Sequence, residues 1–191
     1  MKTLGQHIQE KLIVNKDYHE AKIVVKSFIE LKKIIDDRYV KLGAGTEQDP
    51  IDFNDIDVSN IDSFSNDKDK CKGIFSHTDF KYIDISDWDV SNVTDMEYMF
   101  YMCKELKSVG NILGWDVSKV TDMSGMFYSC TYFNQDISSW NVSNVISMTY
   151  MFSWCESFKQ DLSNWNVSKV RYRGGIFTAC SIKMKYQPKF K

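Results

Sequence analysis

The stretch WDVSKVTDMSGMFYSC, Trp115 to Cys130, decides the reading of this chain, because the chain returns to it. WDVSNVTDMEYMFYMC runs from Trp88 to Cys103 and WNVSNVISMTYMFSWC from Trp140 to Cys155. A worn copy, WNVSKVRYRGGIFTAC, runs from Trp165 to Cys180, and Ile56-Asp57-Val58-Ser59-Asn60-Ile61 is a weaker forerunner. Trp88, Trp115, Trp140 and Trp165 stand 27, 25 and 25 residues apart. A period of that length marks a solenoid, in which a unit buries its apolar side only against its neighbours.

Within one unit, Asp/Asn-Val-Ser sets short polar side chains where they bond nearby backbone, which favours turns. Met123, Met126 and Phe127 follow, matched by Met96, Met99, Phe100 and by Met148, Met151, Phe152. That spacing predicts about one helical turn pressed inward. The alternation in Phe133-Asn134-Gln135-Asp136-Ile137, and in 158–162, predicts a short strand.

Stacking the units sets equivalent residues in columns. Phe75, Phe100, Phe127, Phe152 and Phe177 form one and the tryptophans another, and both are core. Cys103, Cys130, Cys155 and Cys180 form a third, read as small buried residues because the first unit carries Thr78 at that place. Cys71, flanked by lysines in an apparent insertion, is the only candidate for thiol reactivity. The polar column Asp84, Asn111, Asp136, Asp161 has oxygen ligands of the calcium kind. Asn111 and the lack of a glycine-rich loop favour side chains that cap backbone amides instead.

Residues 1–50 carry no repeat. Leu4, Ile8 and Leu12 fit a short helix, and 21–25 a strand. Ser27-Phe28-Ile29-Glu30 has the form of a capping box opening a second helix along Phe28, Leu31, Ile34 and Ile35, which Gly43-Ala44-Gly45 stops. The expected organisation is a helical N-terminal cap over 1–50, a repeat region over 51–180 and a basic tail over 181–191.

In 191 residues of net charge −2, nothing global favours nucleic acid or an anionic membrane. The start has no long apolar run, no segment reaches the roughly 20 apolar residues of a membrane span, and five cysteines show no metal or disulfide spacing. The chain therefore reads as cytoplasmic, without membrane, metal or cofactor. His7, His19 and His77 lie outside the regular columns, and no phosphate-cradling or nucleophile motif is present. No catalytic residue is assigned, and the expectation is a non-enzyme.

The unit W[DN]VSxVxxMxxMFxxCxxFxxD[IL]SxW, over roughly residues 51–180, resembles the BspA-like leucine-rich-repeat family. The resemblance implies a leucine-rich-repeat-like fold used for protein binding, with cell-surface adhesion common among members. The fold class expected is thus α+β: a leucine-rich-repeat-like solenoid of about five short coils with a helical N-terminal cap.

Partner recognition is expected where units differ. Tyr98, Tyr101, Tyr128, Tyr150 and Trp154 are candidates for an aromatic surface, since Tyr and Trp are enriched at interface hot spots. In the last unit Arg171 and Arg173 replace Thr/Ile and Met. With Lys169 and the tail lysines 183, 185, 189 and 191 they form a basic end, which also suits a terminal unit that faces water. The reading is an intracellular protein-binding adaptor or inhibitor. Its partner is a protein, nucleic-acid-binding enzymes included, as for a phage or mobile-element product that blocks a host defence enzyme. RNA binding at the basic end and surface adhesion are the alternatives.

Overall fold

The computed structural model describes residues 22–66 and 72–190. Its regular elements are β1 (Ile23–Val24), α1 (Phe28–Leu42), β2 (Ile51–Asp52), β3 (Ile56–Asp57), β4 (Ile83–Asp84) and a 3-10 turn at Met184–Tyr186. β1 pairs in parallel with β3, Ile23 opposite Ile56, and β2 with β4, Ile51 opposite Ile83. These are two separate two-stranded sheets.

The helix forms where its box predicts. The Glu30 amide donates to Ser27 Oγ at 3.2 Å, while the Glu30 carboxylate accepts from the Lys26 amide at 2.8 Å, one residue earlier than a standard box would place it. Gly43, at φ 77°, ends the helix by donating to Tyr39 O at 2.9 Å. Leu31 and Ile35 are buried, and Tyr39 meets Phe80 edge-on at 4.9 Å. Arg38 pairs with both oxygens of Asp55 and lies over the Phe53 ring. The apolar stripe therefore fixes α1 against the start of the repeats.

The leucine-rich-repeat-like α+β solenoid of five coils under a helical cap is not found. Among the described residues there is one helix and four two-residue strands in two parallel pairs, and none of these lies in the units that begin at Trp88, Trp115, Trp140 and Trp165. The expected helix at Leu4–Leu12 lies outside the described residues. The reason is local. At the Met-x-x-Met-Phe segment the Met126 amide bonds Met123 O and the Tyr128 amide bonds Gly125 O, so the chain makes successive turns three residues long. Gly125 and Ser129 both stand at φ 59°. A left-handed residue every fourth position redirects the chain before a helix or a strand can propagate. At the expected strand, side chains replace the ladder: Gln135 accepts from the Val109 amide at 2.8 Å and donates to Gly110 O at 2.6 Å.

At the Met-x-x-Met-Phe turns, successive units are joined by hydrogen bonds that run from each unit to the one that follows, while the amides of Thr121, Ile146 and Arg171 donate back to Thr94, Thr121 and Ile146 oxygens. The amides of Met96, Tyr98, Phe100 and Met102 donate to Asp122, Ser124, Met126 and Tyr128 oxygens. Met123, Gly125, Phe127 and Ser129 donate to Ser147, Thr149, Met151 and Ser153, and Met148, Tyr150, Phe152 and Trp154 to Tyr172, Gly174, Ile176 and Thr178, all between 2.7 and 3.0 Å. One isolated parallel bridge per step, Ser63 to Asp95 to Asp122 to Ser147 to Tyr172, keeps the register.

The core follows the columns. Phe75, Phe100, Phe127, Phe152 and Phe177 stack in order with centroids 5.4, 5.5, 5.7 and 5.8 Å apart and planes within 12° of parallel. Burying each ring is worth roughly 1.5–3 kcal/mol, so this column contributes much of the cohesion between units. Trp115 and Trp140 stack at 6.2 Å, and Phe133 stacks on Phe158 at 6.1 Å.

Candidate functional site

Beside the buried Phe column, on the outward side of the same turns, the aromatic residues between Met and Cys meet one another. His77 meets Tyr101 edge-on at 5.4 Å, Tyr101 stacks on Tyr128 at 4.8 Å, and Tyr128 meets Tyr150 edge-on at 6.4 Å. Tyr98 joins the row edge-on to Tyr101 at 5.2 Å. Aromatic pairs at these separations contribute about 0.5–1.5 kcal/mol beyond area burial, so the row is held as a surface before any partner arrives.

A second regularity explains how the row is seated. Tyr98, Gly125, Tyr150 and Gly175 occupy equivalent places, and all four stand at φ between 57° and 65°. A Cβ on Gly125 would come within 2.6 Å of the Tyr98 ring, and one on Gly175 would strike the Tyr150 ring. Each tyrosine thus lies across the glycine of the next unit, and the alternation Tyr, Gly, Tyr, Gly is what makes room for the rings.

The predicted residues divide into two groups. Tyr98, Tyr101 and Tyr128 are half-buried members of the row, whereas Tyr150 and Trp154 are 52% and 49% exposed. Trp154 stands in the neighbouring column, at φ 63°, with Met102, Ser129 and Ala179. Lys169, Arg171 and Arg173 belong to the last unit and are exposed. Lys169 Nζ donates to Asn144 Oδ1 at 2.7 Å, repeating Lys119 on Asn92 at 2.9 Å, and so is a strut between units. Arg173 lies over the Phe190 ring at 4.9 Å. Two residues escaped the reading: His77, which opens the row, and Tyr172, which is 63% exposed between the two arginines. Against the expectation that it lies outside the regular columns, His77, at φ 60°, holds the place of Met102, Ser129 and Trp154 in its own irregular unit, and its amide donates to Tyr101 O as theirs do to the following unit.

The other columns have structural duties. Cys103, Cys130 and Cys155 donate their thiol hydrogens to Phe75, Phe100 and Phe127 oxygens at 3.0, 3.0 and 2.8 Å, each reaching the preceding unit. Thr78, at the same place in its unit, donates to Phe75 O and sits 3.5 Å from Cys103 Sγ. Burial pushes the Cys103 thiol up to about 11, and those of Cys130 and Cys155 well above the usual thiol range. A thiol so held is a donor, not a nucleophile. Cys71 lies outside the described residues, as do His7 and His19.

The polar column caps backbone amides: Asp84, Asn111, Asp136 and Asp161 accept from Ser86, Leu113, Ser138 and Ser163 amides at 3.0, 3.3, 2.9 and 2.9 Å. Asp57, Asp89 and Asp116 do the same for Ser59, Ser91 and Ser118. The hydrogen bonds from those serines hold the Asp57, Asp89 and Asp116 carboxyls below the usual range. Among the described residues, no group of three or more His, Cys, Asp or Glu is arranged to hold a metal ion. No helix there is long and apolar enough to cross a membrane.

The repeat turns, the Phe column and the aromatic row all fall within residues 69–188, the span matched by the model of a family described as "Mycoplasma protein of unknown function, DUF285". The chain belongs to this family. No curated protein matches it, and no solved structure does.

Proposed function

We propose that the chain is a non-enzymatic repeat protein that binds another protein, as an adaptor or inhibitor, through the aromatic row. The observation that carries this reading is the continuous contact His77–Tyr101–Tyr128–Tyr150, with the half-exposed Tyr150 at its far end and Trp154 in the neighbouring column. Anchors of this kind lose little conformational freedom on binding, because stacking and the glycine seats already restrain them. The likeness of the unit to BspA-like repeats supports protein binding as the general mode. A protein of a nucleic-acid-binding kind, such as a host defence enzyme, falls within that class, and adhesion at a cell surface is the competing use of the same row.

The test is capture on the tagged full chain from cell extract, with and without nuclease, compared with Tyr150→Ala and Trp154→Ala. Both residues are about half exposed, and an unchanged Tm is required of each variant before its loss of binding is read. A defined protein retained through nuclease and lost in the variants is the expected result. Loss of all retained material on nuclease treatment would overturn the reading in favour of RNA.

A further inference from the structure

The forward direction of the hydrogen bonds at these turns leaves donors at the end of the row of repeats. In three successive units, the amides at four alternate positions donate to carbonyls of the unit that follows. In the last unit the equivalent amides are those of Arg173, Gly175, Phe177 and Ala179. Among the described residues, none of these has an acceptor, although the turn bonds within the unit, Ile176 to Arg173 O, Thr178 to Gly175 O and Cys180 to Phe177 O, are all made. The end therefore presents four donors from alternate residues.

The tail covers part of this end. Tyr186 O accepts from the Leu162 amide at 2.8 Å, and Phe190 lies beneath the Arg173 guanidinium. Arg173, Gly174, Thr178 and Ala179 stay exposed.

Charge selects the occupant. Between Trp165 and Phe190 the chain has Lys169, Arg171, Arg173, Lys183, Lys185 and Lys189 and no Asp or Glu, within a protein of net charge −2. Arg173 also stands where Met96, Met123 and Met148 are buried against the following unit. Another apolar unit, including one from a second copy of this chain, would bury that guanidinium without a counter-charge, which is expensive. A carboxylate there would be paired instead.

We propose that the open end formed by Arg173, Gly175, Phe177 and Ala179 docks an acidic segment of a partner protein. The segment's carbonyl oxygens from alternate residues take the four free amides, and its carboxylates face Arg171 and Arg173. It is a form of strand addition, in which main-chain bonds supply affinity and side-chain charge supplies selection. The proposal rests on the reading of the chain as a protein binder but not on the aromatic row.

The experiment is amide hydrogen exchange by NMR on the full chain, with a capped eight-residue Thr-Glu alternating peptide as probe. Its Thr-Gln counterpart and a single-stranded RNA oligomer serve as comparisons. The expected result is saturable binding of the acidic peptide with at least about tenfold slower exchange at 173, 175, 177 and 179. Exchange at interior amides such as Phe127 stays unchanged. Binding weakens with salt and by roughly tenfold in Arg171→Glu, while Lys104→Glu, a charge reversal at an exposed residue outside the last unit, binds normally. Protection by RNA but not by peptide, equal protection by the Thr-Gln peptide, or no protection up to millimolar peptide would each overturn the proposal. Equal weakening in Lys104→Glu would also overturn it, by reducing the binding to net charge.

Discussion

Replacing Gly125 by Ala tests the seat of the aromatic row. The new Cβ meets the Tyr98 ring at 2.6 and 2.7 Å, inside the distance that any real Cβ contact shows. Moving a packed ring aside costs roughly 1–3 kcal/mol. Gly125 also stands at φ 59°, where an L-residue costs about 1–2 kcal/mol more than glycine. Against this, alanine restricts the unfolded chain and returns about 0.4–1 kcal/mol. The net expectation for Gly125→Ala is a loss of about 1–4.6 kcal/mol, which for a chain of this length lowers Tm by roughly 2–18 °C. In a Tyr98→Gly background the ring is gone and only the backbone part remains, so the same substitution should cost under about 1.5 kcal/mol. Urea denaturation of the four proteins, followed by tryptophan fluorescence and by circular dichroism, gives the coupling. Repeat proteins can lose two-state behaviour, so coincident transitions by the two probes are required before the free energies are compared. A coupling of about 1–3 kcal/mol is expected. A value below about 0.5 kcal/mol, within the scatter for independent sites, would mean that the ring does not rest on this glycine.

Two further predictions concern protonation. Serine hydrogen bonds hold the carboxyls of Asp57, Asp89 and Asp116 below their ordinary range, so the folded state favours their ionised form. That contribution is present above the unfolded value of about 3.9 and is lost as pH falls through the lower folded values. Thermal melts between pH 6 and 2 should therefore show Tm steady down to about pH 4 and falling below it, with a smaller fall in Asp89→Asn. For the thiols the sign is opposite. Burial raises Cys103 to about 11, so its contribution is complete below the unfolded value of about 8.5 and disappears as pH rises towards the folded one. Iodoacetamide at pH 8, read residue by residue by mass spectrometry, should leave Cys103, Cys130 and Cys155 unlabelled in the native protein and label them in urea. Rapid native labelling of Cys130 would refute the donor role.

Much of the packing was legible because it depends on spacing alone. A repeat of 25 to 27 residues sets Phe on Phe and Cys on Cys whatever the local conformation, and the rings do stack in that order. The Thr78 substitution identified the cysteine column as structural, and the hydroxyl and the thiol do serve the same Phe75 carbonyl. The capping box at Ser27 was equally readable, since it needs only three residues of context. Local conformation was less accessible. Met123, Met126 and Phe127 have helical spacing, but apolar spacing reports which side faces inward, not how the backbone arrives there. Here left-handed residues at 125 and 129 deliver the same inward side chains by consecutive turns. Non-glycine residues in that conformation, Tyr98, Met102, Ser129, Tyr150 and Trp154, have no composition signal, because the interlocking bonds to the next unit impose it.

One signal was present in the sequence and is intelligible only with the structure beside it. At equivalent positions the chain reads Tyr98, Gly125, Tyr150, Gly175. Variation between repeats ordinarily marks freedom, and on that ground these positions are candidates for an aromatic surface. The alternation is instead a packing rule, a large side chain over the absence of one. It also decides how the surface should be tested. A substitution at Tyr98 removes a contact and relaxes its seat together, so lost binding there would report on packing as much as on recognition. Tyr150 and Trp154 carry about half their surface in solvent. Loss of a partner at those two residues, with Tm held within about 2 °C, is the result that assigns the row to binding and not to cohesion.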